Sequence, residues 1–226
     1  MIDCHRLDLS VCRDGDLAIL DRTEQARAGR FKFARHRNRY IAAHAQARRL
    51  IGARLDIAPA SVPLSTTHYG KPILSEAAPA MAGPAARERF FWFNLTHCDE
   101  VGYLAIAPFS VGIDVELPRP FTDLQPLIES NCCAAEIAAL AAMDPDSRVT
   151  GFLRTWTRKE AALKAWGTGI GAVPLDELHV GIDTEWVAPL KGFLVYPALR
   201  LRTLVVGNEI LSIAAATEHP LEIRMR

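Results

Sequence analysis

The sequence of 226 residues has no long apolar run. No segment approaches the ~20 consecutive apolar residues that a membrane-spanning helix needs. Charged residues also appear within the first six positions, without the apolar stretch of a signal peptide. We therefore expect a cytoplasmic protein with no membrane partner. Half of the residues are hydrophobic and 23% are charged, a balance that excludes a disordered chain.

Cysteine is scarce, and its spacing shows no framework. An odd number of cysteines excludes complete pairing in disulfides, and no spacing matches a metal site. We expect reduced thiols, as in a cytosolic protein. The five cysteines are Cys4, Cys12, Cys98, Cys132 and Cys133.

An excess of one charge is also missing, since 26 basic residues balance 26 acidic ones. This balance argues against a protein that binds nucleic acid over its whole surface. The charge is nevertheless uneven along the chain, because Glu24 is the one acidic residue among the many basic residues between positions 22 and 54. The segment is either a solvated helix face or a subsite for a polyanion, in which arginine would hold phosphate oxygens. Its basic residues are Arg22, Arg27, Arg30, Lys32, Arg35, Arg37, Arg39, Arg48, Arg49 and Arg54.

Hydrophobic periodicity predicts an α+β fold with helices and antiparallel sheet in each half. We expect a helix or helix pair over residues 23–55. Residues 57–86, where proline is frequent, are predicted to be loop and short strand rather than helix. Strands over residues 90–94, 101–107 and 110–116 are predicted to form a meander, the sheet of the first half.

The second half is predicted to begin with helices and to end with strands. We expect domains of residues 1–117 and 118–226. The predicted helices are residues 122–129, residues 133–142 and a helix that follows the turn at residues 144–147 and ends near Trp166. The predicted strands are Val180 and residues 193–196, 201–206 and 210–216, with Gly207 and Asn208 as a hairpin turn.

The first motif that carries chemistry is Gly112-Ile113-Asp114-Val115-Glu116, at the end of an apolar strand. Alternate residues of a strand point to one face, so the two carboxylates project together while Ile113 and Val115 point into a core. Two carboxylates this close raise each other's pKa unless a cation lies between them, and Mg²⁺ prefers such oxygen ligands. The same pattern also occurs as a solvated strand face.

A second motif, Trp156-Thr157-Arg158-Lys159-Glu160-Ala161-Ala162-Leu163-Lys164, lies in the long helix of the second half. Trp156, Glu160 and Lys164 are four residues apart and lie on one stripe. Glu160 and Lys164 are either an ordinary surface pair, with Gly167 and Gly169 as the helix C-cap, or a third carboxylate near the metal with a lysine in reach of a phosphate.

A third motif, Phe93-Asn94-Leu95-Thr96-His97, follows Tyr69-Gly70-Lys71-Pro72. On their own, His97 is as well explained as a structural histidine, and Gly70-Lys71-Pro72 as a turn with one charge. Taken in order, the three motifs and this turn resemble the 4′-phosphopantetheinyl transferase family, and specifically its long, Sfp-like branch. The resemblance covers residues 27–171. The branch's namesake has serine at the position of Ala161. With Lys159, Glu160 and Ala161 in sequence, the chain is more similar to a Lys-Glu-Ala subgroup.

The resemblance implies two similar α+β halves that pack as an intramolecular pseudo-dimer, with the site between them. It implies a monomer that takes coenzyme A as co-substrate and an apo acyl or peptidyl carrier protein as acceptor. It also implies a role for each matching residue. The metal ligands for Mg²⁺ would be Asp114, Glu116 and Glu160; Lys164 would contact the diphosphate; Gly70, Lys71 and Pro72 would surround the adenine; Thr96 and His97 would contact phosphate; Arg39 and Arg27 would contact the 3′-phosphate and a further anionic group; and Asn94 would position its loop.

The implied reaction transfers the 4′-phosphopantetheine arm to a carrier serine and releases 3′,5′-ADP. In this scheme the catalytic residue Asp114 belongs to the metal triad, Glu160 or a metal-bound water takes the serine proton, and Lys164 stabilises the leaving group. Two rival hypotheses stay open. A metal-dependent phosphohydrolase would use the same carboxylates on water and need no carrier, and a binding module would read nucleic-acid phosphates with the Arg-rich helix.

Overall fold

A computed structural model describes residues 1–81, 90–169, 171–183, 186–187 and 196–226. The predicted α+β class is confirmed, because the chain contains both helices and strands, and most of the strands form two larger β-sheets. None of the helices in these ranges combines the length and the apolar character needed to cross a membrane. The predicted strand at residues 193–196 falls almost entirely outside the described residues.

The helices follow the predicted segments closely. The predicted helix pair is confirmed, since the chain breaks between Gly29 and Ala34, and Gly167 ends the last helix in a left-handed conformation with φ of 78°. The prediction of no helix in residues 57–86 is wrong at two places, a 3-10 helix over Pro59–Ser61 and a four-residue α-helix over Ala78–Met81, because proline is tolerated in a first turn. The helices are α1 (Asp16–Ile19), α2 (Arg22–Gly29), α3 (Ala34–Leu55), α4 (Ala78–Met81), α5 (Gln125–Asn131), α6 (Ala134–Ala141) and α7 (Pro145–Trp166).

In the described ranges the strands form two four-stranded sheets and one short hairpin. The first sheet has the order β10-β1-β5-β4, the second has the order β6-β9-β8-β7, and β2 pairs with β3. The predicted two-residue turn at Gly207 and Asn208 is confirmed between β8 and β9. The strands are β1 (Ile2–Asp8), β2 (Leu64–Thr66), β3 (Pro72–Leu74), β4 (Trp92–Cys98), β5 (Val101–Ala107), β6 (Val111–Glu116), β7 (Trp186–Val187), β8 (Leu199–Val206), β9 (Glu209–Ala215) and β10 (Ile223–Met225).

The predicted three-strand meander is wrong at its third strand. β4 and β5 pair as expected, but β6 pairs with β9 of the other sheet. The apolar pattern identified β6 as a strand and left its neighbour undetermined, since Ile113 and Val115 are buried equally well beside Leu211 and Ile213. The boundary at residue 117 stays a prediction, and strands from both sides of it share each larger sheet.

Val180, predicted to be a strand residue, lies in an irregular segment. Its backbone N–H donates to Glu136 Oε1 at 2.8 Å, and its carbonyl accepts from Arg158. These side chains satisfy the backbone groups that a neighbouring strand would otherwise take, so the apolar character of Val180 reports its burial rather than a strand.

The two sheets pack face to face, and one long helix covers each of their outer faces. The core between the sheets contains Tyr103 of β5 and Ile113 of β6. α3 packs on the first sheet through Ile51, and α7 packs on the second through Leu163. The resulting α-β-β-α order places β6 and α7 side by side.

Gly112 of β6 permits the close approach of α7. A Cβ atom at this position would lie 2.0 Å from Ala161 O and 2.3 Å from Ala165 N, so the helix backbone fills the space of a side chain. Ala161 and Ala165 each directly follow a residue of the second motif, Glu160 or Lys164. The glycine therefore sets the distance between the carboxylates of β6 and the charged stripe of α7.

Gly112→Ala is expected to destabilise the fold by about 1–3 kcal/mol, because the added methyl group forces α7 off β6. Urea unfolding measures this loss, and Glu160 and Lys164 should shift away from the carboxylates of β6, since they move with the helix. Gly29→Ala is the matched control: no atom lies within 4 Å of its added Cβ. Equal midpoints for Gly112→Ala and the wild type would contradict the described contact.

Candidate active site

The carboxylates of β6 lie on the face that meets α7. Asp114 is nearly buried, with 9% of its side chain exposed, and Glu116 is half-buried. Ile113 and Val115 point the other way into the core between the sheets. The predicted alternation of this strand is confirmed.

The charged stripe of α7 reaches these carboxylates. Lys164 Nζ donates to Asp114 Oδ1 at 2.6 Å and lies 3.9 Å from Glu160 Oε2. Thr96 Oγ1 of β4 donates to the same Asp114 oxygen at 3.0 Å. Four residues that the sequence singled out, from β4, β6 and α7, thus meet at one place.

The surroundings of Glu160 and Glu116 disfavour the charged form of both carboxylates. Burial raises the pKa of Glu160 above its ordinary value, and the negative charges of Asp114 and Glu116 add to this rise against the opposing effect of Lys164. Burial followed by the charge of Asp114 also raises the pKa of Glu116. Glu160 Oε1 is buried and has no hydrogen-bond partner among the described residues. A cation at this place would relieve all three effects.

The donor set fits a divalent cation such as Mg²⁺. Carboxylate oxygens are the ligands that Mg²⁺ prefers, and Glu160 Oε1 is a buried oxygen that still needs a partner. Asp114, Glu116 and Glu160 are not among the groups of described residues whose ligand atoms all lie within 4.8 Å of one another. The ammonium of Lys164 lies among these carboxylates and donates to Asp114 Oδ1.

Among the residues that the structure describes, one group of possible ligands does meet that distance, namely Cys133, Glu136 and His179. Glu136, however, already accepts hydrogen bonds on both oxygens, from the backbone N–H of Cys133, Val180 and Gly181. It also pairs with Lys159 at 2.7 Å. Its four acceptor positions are taken, so this group stabilises the fold and leaves no oxygen for a metal.

Lys71 ties the turn before β3 to the site. Its Nζ donates to Val111 O at 3.0 Å and to Lys164 O at 2.6 Å. Burial, together with the nearby charge of Lys164, lowers the pKa of Lys71 to about 8. Lys71 therefore joins the start of β6 to the end of α7, a structural position that the sequence did not indicate.

A pocket of about 160 Å³ opens beside this turn. The structure brings Arg27 of α2 together with Gly70 and Pro72 there. Arg27 also faces the ring of Tyr40, 5.6 Å from its centroid. The lining residues are Asp21, Thr23, Glu24, Arg27, Tyr40, His44, Leu64, Ser65, Thr66, Gly70 and Pro72.

Arg39 is not among the residues that line this pocket. Its guanidinium pairs with Asp99 at 3.1 Å and Glu100 at 3.2 Å, at the turn between β4 and β5. His97 is exposed on the same strand as Thr96. Asn94 Oδ1 accepts from the backbone N–H of Ile113 at 2.8 Å, so it joins β4 to the strand that carries the carboxylates.

The sequence interpretation missed the side chains that complete the pocket. Tyr40 and His44 lie four residues apart on α3 with ring centroids 4.0 Å apart, and Glu24 of α2 accepts from His44 Nδ1 at 2.8 Å. The i, i+4 spacing of two rings in a predicted helix was an available signal. Glu24 carried a weaker one, as the lone acid of the basic segment.

Comparison with known proteins finds similarity over the part of the chain that contains β6 and α7. The profile described as the 4′-phosphopantetheinyl transferase superfamily matches residues 110–194, which include β6 and α7. The 4′-phosphopantetheinyl transferase HetI of Nostoc sp. is 32% identical over 199 residues, which cover 88% of this chain and 78% of HetI.

Two further relatives align over shorter stretches. A putative 4′-phosphopantetheinyl transferase of Synechocystis sp. is 27% identical over 157 residues, which cover 69% of this chain and 60% of that protein. The 4′-phosphopantetheinyl transferase AcpT of Escherichia coli is 35% identical over 106 residues, 46% of this chain and 50% of AcpT. The match to the family profile and the names of these relatives give no support to a phosphohydrolase.

Proposed function

The chain belongs to the 4′-phosphopantetheinyl transferase superfamily, and on this premise we propose that Asp114, Glu116 and Glu160 hold the Mg²⁺ of its reaction. The enzyme is a holo-carrier-protein synthase, which transfers the 4′-phosphopantetheine moiety of coenzyme A to a serine of an apo carrier protein and releases 3′,5′-ADP. The observation that carries the metal assignment is the buried, unpartnered Glu160 Oε1 beside two further carboxylates.

The bound cation supplies positive charge beside the diphosphate of coenzyme A. Lys164 supplies more, since its side chain is 26% exposed and can turn from Asp114 Oδ1 towards a phosphate oxygen. Thr96 holds Asp114 in place through its hydroxyl group. These groups stabilise the charge that develops on the departing 3′,5′-ADP.

The proton of the carrier serine goes to Glu160. A carboxylate oxygen of Glu160 that does not hold the cation can accept this proton. The serine oxygen then forms a bond to the phosphorus next to the pantetheine, and the bond from that phosphorus to 3′,5′-ADP breaks. Asp114 and Glu116 would act on the diphosphate only through the cation that they hold, whose positive charge would bind the phosphate oxygens.

The nucleotide end of coenzyme A lies in the pocket formed by Arg27, Gly70 and Pro72. Lys71 fixes this turn to β6 and α7 through its bonds to two backbone carbonyls. His97, which is exposed on β4, contacts a phosphate. Arg39 contributes a further positive charge once a phosphate competes with Asp99 and Glu100 for its guanidinium.

The finer family placement is the long, Sfp-like branch and its Lys-Glu-Ala subgroup, carried by Lys159, Glu160 and Ala161. Two four-stranded sheets, each covered by a helix of 22 residues, support the arrangement of two similar halves in one chain. Such a chain forms its site alone, so we expect a cytoplasmic monomer that binds neither nucleic acid nor a membrane.

Binding of Mn²⁺, measured by its paramagnetic resonance signal in the presence of coenzyme A, tests the metal site without any need for turnover. We expect Asp114→Asn to weaken Mn²⁺ binding about tenfold or more, because it removes one of the charged ligands. Asp146→Asn, an exposed change in the first turn of α7, is the matched control. Equal Mn²⁺ affinity in the Asp114→Asn variant and the control would overturn the assignment.

A further inference from the structure

β4 directs a row of polar side chains at β6, although the two strands belong to different sheets. Alternate residues of a strand point to one face, so Asn94, Thr96 and Cys98 share a face of β4. Asn94 Oδ1 accepts from the backbone N–H of Ile113 at 2.8 Å. Thr96 Oγ1 donates to Asp114 Oδ1 at 3.0 Å. The row therefore follows the strand that carries the carboxylates.

Cys98 is the third member of this row, and it meets the second carboxylate of β6. Its Sγ donates to Glu116 Oε2 at 3.4 Å, which is within hydrogen-bond distance for a sulfur donor. An ionised carboxylate only accepts hydrogen bonds, so the thiol supplies the hydrogen. The last residue of β4 thus contacts the last residue of β6.

The surroundings of Cys98 fix the place of its sulfur. The side chain is half-buried and packs against the core between the two sheets. Its backbone pairs with Val101 of β5 across the turn of residues 99–100. The donor therefore comes from the sheet framework rather than from a loose loop.

Glu116 depends on this contact more than Asp114 does on any one of its own. Asp114 is held by two groups, Thr96 and Lys164. In the described part of the chain, Cys98 is the one side chain that forms a hydrogen bond with Glu116. A glutamate side chain has considerable rotamer freedom, so a single donor decides how well its carboxylate is oriented.

We propose that Cys98 is a positioning residue of the metal site, which holds Glu116 Oε2 through its S–H group and leaves the other carboxylate oxygen to the cation. This proposal rests on the proposed function, which makes Glu116 a metal ligand. Loss of a hydrogen bond that orients a metal ligand typically weakens metal binding about 10–100-fold. A thiol is a weak donor, so we expect an effect at the lower end of this range.

The rival role for a half-buried cysteine is that of a small apolar residue. Serine and alanine at position 98 separate the two roles, because both lack the sulfur and are similar in volume, whereas only serine keeps a donor. A packing role predicts equal effects of the two substitutions. A positioning role predicts that alanine weakens metal binding and that serine restores it.

Binding of Mn²⁺ in the presence of coenzyme A, measured by paramagnetic resonance, tests the proposal without turnover. We expect Cys98→Ala to weaken Mn²⁺ binding about tenfold. Cys98→Ser should stay within about threefold of the wild type, because its hydroxyl group also donates to a carboxylate. Cys12→Ala is the control, since this half-buried thiol packs beside α3 and should leave Mn²⁺ binding unchanged.

The dependence of the transfer rate on Mg²⁺ gives a second readout. In Cys98→Ala the Mg²⁺ concentration for half-maximal rate should rise about tenfold, while the rate at saturating Mg²⁺ stays within about twofold of the wild type. A rate that falls equally at every Mg²⁺ concentration would indicate general damage to the fold and would contradict a role in metal binding.

Equal Mn²⁺ affinities of Cys98→Ala and Cys98→Ser would overturn the proposal. If the alanine variant fails to fold, Cys98→Val takes its place in the comparison, because valine fills the space of the sulfur and also lacks a donor. The metal assignment fails separately, if Asp114→Asn binds Mn²⁺ as tightly as its control. Weakened binding in Asp114→Asn with normal binding in Cys98→Ala would overturn the role of Cys98 alone.

Discussion

Glu160→Gln is expected to lower the rate of phosphopantetheine transfer about 10³-fold while leaving the fold at least as stable as the wild type. The rate falls because the amide neither accepts the serine proton nor supplies a charged metal ligand. Stability is kept because the wild-type Oε1 is buried without a partner, next to Asp114 and Glu116. A neutral amide avoids the cost of burying that charge.

The same group gives the stability a dependence on pH. The folded pKa of Glu160 lies above its ordinary value of 4.5, chiefly because of burial. Its contribution to stability is therefore fully present below about pH 4.5 and is lost as the pH rises through the folded pKa. Urea unfolding in the presence of a chelator should show the wild type losing stability relative to Glu160→Gln over this interval.

Glu177→Gln, an exposed change of the same kind, is the control for both effects. It should leave the rate and the pH dependence as in the wild type. A Glu160→Gln variant that retains most of the activity, or that is clearly less stable than the wild type at neutral pH, would contradict the roles given to this residue.

Lys159→Met is expected to cost about 3–5 kcal/mol of unfolding free energy, the largest structural effect of any single change considered. Lys159 and Glu136 are each 1% exposed and lie 2.7 Å apart. Lys159 also donates to Leu175 O at 2.6 Å and to Leu178 O at 2.5 Å. Its loss would leave a buried carboxylate and two backbone carbonyls without their charged partner.

A double-variant cycle separates this pair from simple loss of packing. Adding Glu136→Gln to Lys159→Met should recover part of the loss, because the uncompensated buried charge disappears. Lys32→Met, at an exposed site, should change the midpoint of urea unfolding little. If the losses of the two single variants simply add in the double variant, the two side chains do not act as a pair.

The ion pair of Lys159 with Glu136 matters for the reaction because Lys159 directly precedes Glu160 on α7. Glu136 also binds the backbone N–H of Val180 and Gly181, so α6, α7 and the segment before residue 183 are held together by two charged groups. Glu160 extends from the following position of α7 towards β6. A firm α7 is a condition for holding its carboxylate near Asp114.

The site residues could be predicted from the sequence where the chemistry is local. Asp114 and Glu116 share a face because strand residues alternate, and Glu160 and Lys164 share a stripe because helix residues four apart do. Both rules depend only on spacing within one element. The meeting of the two elements depends on Gly112, whose meaning appears only when the backbone of α7 lies against it.

The remaining features depend on contacts between elements that are far apart in sequence. The pairing of β6 with β9 could not be read from β6, since any apolar neighbour satisfies its pattern equally well. Lys71 looked like a ligand contact, yet its ammonium bonds two backbone carbonyls. The pair of Glu24 with His44 joins two helices, and no spacing rule connects them.

The intact mass of an apo carrier protein, measured after incubation with the enzyme, coenzyme A and Mg²⁺, tests the central claim most directly. We expect a mass increase equal to one phosphopantetheine, formation of one 3′,5′-ADP for each carrier modified, and neither product with Glu160→Gln or without the metal. An unmodified mass across acyl and peptidyl carriers, with coenzyme A either intact or hydrolysed, would contradict the account.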